Sequence, residues 1–500
     1  MKKIVLLPLD ERPCNFEFPG KIFNGEKYTV VCPKKLGQKK TPADYDEIQA
    51  FLLENIEDAD AAVISVDTLL YGGLIPSRLH TLTQETAAER LMLLKALRER
   101  NPKLKLYAFQ CIMRCPQYSS SDEEPDYYEV CGKEIHHIGR LTHLQKLGMG
   151  NAEELERLKS RVPEDALEDY LQRRAFNGSF NIRTLELVED GTIDFLIIPQ
   201  DDSAKYGYTA MDQQRVRNVI NEKVLNDRVL LYPGADEVGM TLVARAVNAL
   251  EGKTPRVYLK YASTLAPMLI PNYEDRSLNE TVKYHVMAAG CTVASALAEA
   301  DCVMGITAPA NKMLEAADQP ANNIDYDVER NMAEFLQFVN RCVEEKLPVG
   351  ILDNAYTNGG ELQLLRVLNR QKNLMKLTAY AGWNTSANSM GTVLAQLVNR
   401  QHQNNQETAE NFLAERYIED FGYDAVVRAY VTENILPQWG MNYFYCAEQR
   451  GKAAEAIKAE LQKFIEKELT SIAQYVTLKE IWLPWSRMFE IGLKAEYKEN

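Results

Sequence analysis

One local pattern recurs through the first 400 residues and constrains the fold more than anything else in the chain. It consists of a short, almost wholly apolar run, a polar cluster, then a stretch with helical spacing. The runs stand at Ile4–Pro8, Ala61–Val66, Leu106–Ile112, Asp194–Pro199 and Val229–Tyr232, then at Val257–Tyr261, Cys302–Ile306, Val349–Leu352 and Leu377–Tyr380. Strands without polar alternation need cover on both faces, and the chain between most of these runs is long enough to supply a helix. Ala88, Leu91, Leu94 and Leu97 show that helical spacing.

The pattern therefore predicts an α/β protein with a parallel sheet, read as a (β/α)8-barrel-like domain over residues 1–400. Nine runs exceed a barrel's eight strands, and a short run near Gly290–Ala294 adds another. A doubly wound parallel sheet, or a flavodoxin-like insertion within Val257–Thr307, is the alternative. Five hundred residues exceed one ordinary core. Gln401–Glu407 reads as a polar hinge, and residues 401–500 as a C-terminal helical domain with Ala453–Leu469 its clearest helix. Residues 115–190 form a long crossover, in which Ser119–Pro125 reads as an exposed loop.

The net charge of −14, from 57 basic and 71 acidic residues, disfavours nucleic acid and anionic membrane surfaces as partners. No segment approaches the roughly 18 apolar residues of a membrane span. The apolar start ends at Asp10-Glu11-Arg12 with no cleavage site, so it reads as a first strand. Nine cysteines without framework spacing point to a reducing cytoplasm. A homo-oligomer is left open.

In parallel α/β folds the chemistry sits in the loops after the strands. Here those loops carry Asp10-Glu11-Arg12, Asp67, Arg114, Asp201-Asp202, Asp236-Glu237, Asp353-Asn354 and Trp383-Asn384 to Asn388. A single Asp after a strand is most simply a helix cap. Adjacent carboxylates recurring at strand ends repel, so a metal, a cationic group or a shared proton must offset them. The six histidines have no zinc spacing, and His136, His137 and His143 near Cys131 read as a polar face. No Gly-x-Gly-x-x-Gly, Walker loop or Gly-x-Ser-x-Gly elbow occurs. The expectation is no cofactor, with a divalent ion on Asp10, Asp67 and Asp236 as the alternative. Amides and aromatic rings beside carboxylates suit a small-molecule or oligosaccharide substrate, with Asp10, Arg12, Asp67, Asp236, Asp353, Asn354, Trp383, Asn384 and Asn388 as its contacts.

Two resemblances rest on these residues. Pro8–Asn15, Asp67–Arg78 and Tyr380–Thr392 resemble an uncharacterised bacterial family, domain of unknown function 4127. The succession Phe195–Asp202, Tyr232–Gly239, Asp301–Pro309, Leu352–Gly359 and Asn384–Asn388 is similar to glycoside hydrolase family 84, the β-N-acetylglucosaminidase barrels. That likeness implies a retaining, substrate-assisted glycosidase in which Asp201 orients the acetamido group and Asp202 protonates the leaving oxygen. Asn354 and Asn384 would hold the sugar. Glu237 stands where that family has Tyr, Gly305 where it has Trp and Gly359 where it has Asp; without an acetamido pocket, Glu237 becomes the nucleophile or acid. A divalent-metal enzyme or a non-catalytic carbohydrate-binding protein is the rival reading.

Overall fold

The computed structural model describes residues 1–499. Its strands are β1 (Lys2–Leu7), β2 (Tyr28–Val31), β3 (Ala61–Ser65), β4 (Lys105–Phe109), β5 (Phe195–Gln200), β6 (Val229–Pro233), β7 (Arg256–Tyr261) and β8 (Thr292–Val293). There follow β9 (Cys302–Ile306), β10 (Leu314–Glu315), β11 (Val349–Leu352), β12 (Tyr356–Thr357), β13 (Ala379–Ala381), β14 (Val476–Trp482) and β15 (Gly492–Tyr497). The protein is α/β with two main parallel sheets, ordered β2-β1-β3-β4-β5-β6 and β13-β11-β9-β7-β8.

Among the described residues no strand pairing closes either sheet, so the barrel expectation is corrected to two open sheets. Read from its own first strand, the second sheet has the same order, 2-1-3-4-5, as the first five strands of the first. All nine apolar runs became strands. β8 lies at the short run near Gly290, and β2 is an edge strand that the apolar pattern did not single out.

Strands β3, β5, β6, β9 and β11 are buried on both faces. In β1, Ile4 and Leu6 point into the core between the two sheets, while Val5 and Leu7 point into the outer core. The inner core is filled by two helices, Val238–Glu251 after β6 and Ser386–His402 after β13. Both are buried almost all round because each lies between its own sheet and the other helix. Gly391 permits their close approach: a Cβ there would sit 2.5 Å from Glu237 Cγ.

After His402 the chain runs through the Gln406–Arg416 helix, a wide π-helical stretch Tyr417–Val427 and the Lys452–Glu468 helix to an antiparallel β14–β15 hairpin. The tail is thus helical with a terminal hairpin. Tyr417, Phe421, Ile457, Leu461 and Leu493 share one core with Val349, Ile351 and Tyr380 of the second sheet. No helix among the described residues is long and apolar enough to cross a membrane, and all nine cysteines are free.

Candidate active site

The strand-end loops of both sheets open on one cavity of about 290 Å³. The first sheet supplies Arg12, Leu74, Arg114, Asp201, Asp202 and Asp236; the second supplies Tyr273, Glu274, Asn358, Asn384 and Asn388; the tail supplies Tyr443, Phe444, Arg487 and Phe489. Ligands of open parallel sheets bind at this end of the strands.

Adjacent residues of a strand point to opposite faces, so Asp201 and Asp202 reach one cavity only because the strand has ended. β5 stops at Gln200, and Asp202 takes a left-handed backbone with φ 44°. Tyr273, Asn358 and Asn384, also on the cavity wall, have φ of 65°, 62° and 50°. Non-glycine residues in this region are uncommon and gather where a site over-determines the backbone.

A web of ion pairs surrounds the pair. Arg78 donates to Asp201 at 2.7 Å and to Glu123 and Glu124 at 3.1 Å. Arg114 reaches Asp202 at 3.1 Å, Glu124 at 2.8 Å and Glu123 at 2.9 Å. Arg487 completes it through Asp122 and Glu123. The Ser119–Pro125 segment is therefore no solvent loop: Glu124 is fully buried, its charge matched by arginines rather than water. Burial pushes the Glu123 carboxyl up, but Arg114, Arg487 and Arg78 together hold it well below the usual range. Burial, then the neighbouring Asp202 charge, raises Asp201 to about 6 against the pull of Arg114 and Arg78. Burial raises Asp202 as well.

On the floor, Arg12 joins Asp10 (2.7 Å) to Asp236, and Asn15 donates to both carboxylates at 3.0 Å. Burial pushes Asp10 up to about 6. In the opposite wall, burial raises Glu274 to about 8; it accepts from Ala387 N at the start of the Ser386–His402 helix and from Thr281.

The cavity thus gathers Arg12, Asp201, Asp202, Asp236, Asn384 and Asn388 from the residues singled out by sequence. The others fall elsewhere. Glu237 is fully buried off the cavity wall, bonded to Ala235 N (3.0 Å) and His285 (3.1 Å), so it shapes the turn rather than facing a substrate. Asp67 is buried on Cys111 N at 2.7 Å. Asp353 is held by Thr307, Glu361 N and Tyr380. Trp383 packs edge-on against Phe18 and donates to Thr392 from within the core. Asn354 is buried with neither amide atom partnered, and Asp10 acts through Arg12. The proposed metal set does not assemble either. Among the described residues no group of three His, Cys, Asp or Glu side chains is placed to hold an ion, because Asp10 and Asp236 are bridged by Arg12 and Asp67 is engaged by backbone.

Sequence reasoning missed Arg78, Glu123, Glu274 and Arg487. Arg78 ends the Asp67–Arg78 motif, which was a signal; the other three had none.

Fold and site together define an α/β protein with two parallel sheets and a carboxylate-rich cavity where their strand ends meet. The family described as "Protein of unknown function (DUF4127)" matches residues 4–494, and the chain belongs to it. No curated protein matches the sequence.

Proposed function

We propose that this protein is a glycoside hydrolase acting on a neutral sugar by carboxyl acid–base chemistry. The reading rests on the cavity and not on a barrel. The observation that carries it is the Asp201–Asp202 pair, turned into a cavity whose facing wall presents the amides of Asn384 and Asn388. Glycoside cleavage needs one carboxyl that holds a proton and one that does not. Two adjacent acids, both raised by burial, hold a proton between them, and that proton belongs to the pair rather than to either residue. Protonation of the glycosidic oxygen by the pair releases the leaving group. The remaining carboxylate, or a 2-acetamido group it orients, stabilises the sugar cation until water adds to the anomeric carbon and gives its proton back to the pair. Glu274, neutral at pH 7, adds a polar group on the other bank. Arginines saturated by carboxylates leave little attraction for an anionic substrate.

The test is a panel of nitrophenyl glycosides, including N-acetylglucosamine and N-acetylgalactosamine forms. Release of nitrophenolate from one or more members, lowered in Asp201→Asn and Asp202→Asn, is expected. No turnover together with sugar binding would leave a carbohydrate-binding protein; neither turnover nor binding would end the reading.

A further inference from the structure

The floor and the mouth of the cavity differ in chemistry. Asp236, Glu274 and Asn388 are recessed and less than a tenth exposed. The rings around them are open: Tyr118 is 42% exposed, Tyr273 38% and Phe444 56%. These rings come from the loop after β4, the loop after β7 and the tail, segments distant in sequence that bring aromatic faces to one opening. Exposed apolar surface gathered at a cleft marks a binding surface more often than chance exposure does. The next residue after Phe444, Tyr445, is 58% exposed.

The turn that bears Phe444 and Tyr445 is pinned at both ends. Asn442 and Tyr445 exchange backbone hydrogen bonds at 3.0 and 3.2 Å, Met488 N donates to Tyr443 O at 2.8 Å, and Cys446 N donates to Ser486 O at 2.8 Å. The Asn442 side chain accepts from Phe444 N at 2.9 Å. Rings on a fixed support lose little freedom when a ligand covers them.

We propose that this aromatic rim is a second binding site, for the sugar units of an oligosaccharide that extend beyond the cavity. The inference rests on the glycosidase reading and adds the substrate class, a neutral oligosaccharide rather than a single sugar. A cavity of about 290 Å³ holds the terminal ring, and any further units must cross the rim. The C–H face of a pyranose is apolar and matches an aromatic face, while its hydroxyls stay in water. The net charge of −14 disfavours a polyanionic chain at the same surface.

The experiment is calorimetric titration of the full chain with N-acetylglucosamine and its β-1,4-linked di-, tri- and tetrasaccharides, with the glucose series in parallel. The readout is the ratio of Kd for one unit to Kd for three. A ratio of about tenfold or more is expected in the wild type, the size of one well-placed aromatic contact. It should collapse towards one in Phe444→Ala/Tyr445→Ala, with the melting temperature unchanged. Both side chains are more than half exposed, and Tyr445→Ala alone serves as the second variant. Sugar binding or turnover with no dependence on length, or a ratio that survives in both variants, overturns the rim and leaves the glycosidase reading standing. Self-association abolished by the double variant, with no length dependence, would make the rim an interface between copies instead. Failure of both series to bind at any length overturns the glycosidase reading and the rim with it.

Discussion

Arg12 and Asp236 stand 224 residues apart in the chain and meet in a two-point ion pair, the Nη1 contact at 3.1 Å. The same guanidinium holds Asp10 through Nε and Nη2 and lies 4.6 Å from the Trp485 ring centre. One side chain therefore ties together the loops after the first and last strands of the first sheet and the C-terminal hairpin region. Its removal leaves two buried carboxylates without a counter-charge. Arg12→Met should cost about 3–5 kcal/mol of stability, and adding Asp10→Asn with Asp236→Asn should recover much of that. Urea denaturation measures both; a single variant as stable as wild type would show that the pair contributes nothing to folding.

The seam between the sheets makes a second prediction. A Cβ on Gly391 would lie 2.5 Å from Glu237 Cγ and 2.7 Å from Thr241 Oγ1. Alanine ordinarily favours a helix, yet overpacking here should outweigh that preference and destabilise Gly391→Ala by about 1–3 kcal/mol. A variant more stable than wild type would mean that the helices separate freely.

Asp67 gives a stability prediction with a definite sign in pH. Burial raises its carboxyl from the ordinary 3.8 to about 7, despite the hydrogen bond from Cys111 N. Between those values the folded chain keeps a proton that the unfolded chain releases, so this group's contribution to stability falls as pH rises from about 4 to about 7. Asparagine has no proton to lose and can still accept from Cys111 N. Asp67→Asn should therefore match wild type at pH 4 and exceed it at pH 8 by on the order of 4 kcal/mol. Denaturation curves that differ equally at both pH values would refute this.

What the sequence made legible follows from these contacts. The apolar runs became strands because a buried strand has no alternative to being apolar. Their order was not legible, since a barrel and two open sheets use the same alternation of strand and helix. The carboxylates after the strands stood out, yet Asp67, Asp353 and Glu237 carry the same signature as Asp201. What separates them is whether a backbone N–H or a His285 waits nearby, and that depends on residues distant in the chain. Ser119–Pro125 misled for a related reason: a polar segment looks solvated until Arg78, Arg114 and Arg487 arrive from elsewhere to bury it. Asp202 was the exception in which local geometry mattered most, because its left-handed backbone turns the pair into one cavity.

The last prediction concerns that pair. Burial and the adjacent Asp202 charge raise Asp201 to about 6, so the shared proton is present below that pH and absent above it. If the pair is the general acid, turnover should fall as pH rises through about 6. Asp202→Asn should lower turnover by about 10²–10⁴-fold, less for substrates with a nitrophenolate leaving group, which need little protonation. Removing the Asp202 charge also removes one cause of the raised Asp201, so the residual activity should lose its proton at a lower pH than wild type does. Asp201→Asn should leave a limb set by Asp202 alone, whose carboxyl burial still raises. Turnover against pH for wild type and both variants, on one good and one poor leaving group, decides the matter. Near-normal turnover with an unshifted limb in both would show that Asp201 and Asp202 only anchor Arg78 and Arg114, and would move the search for the acid to Glu274.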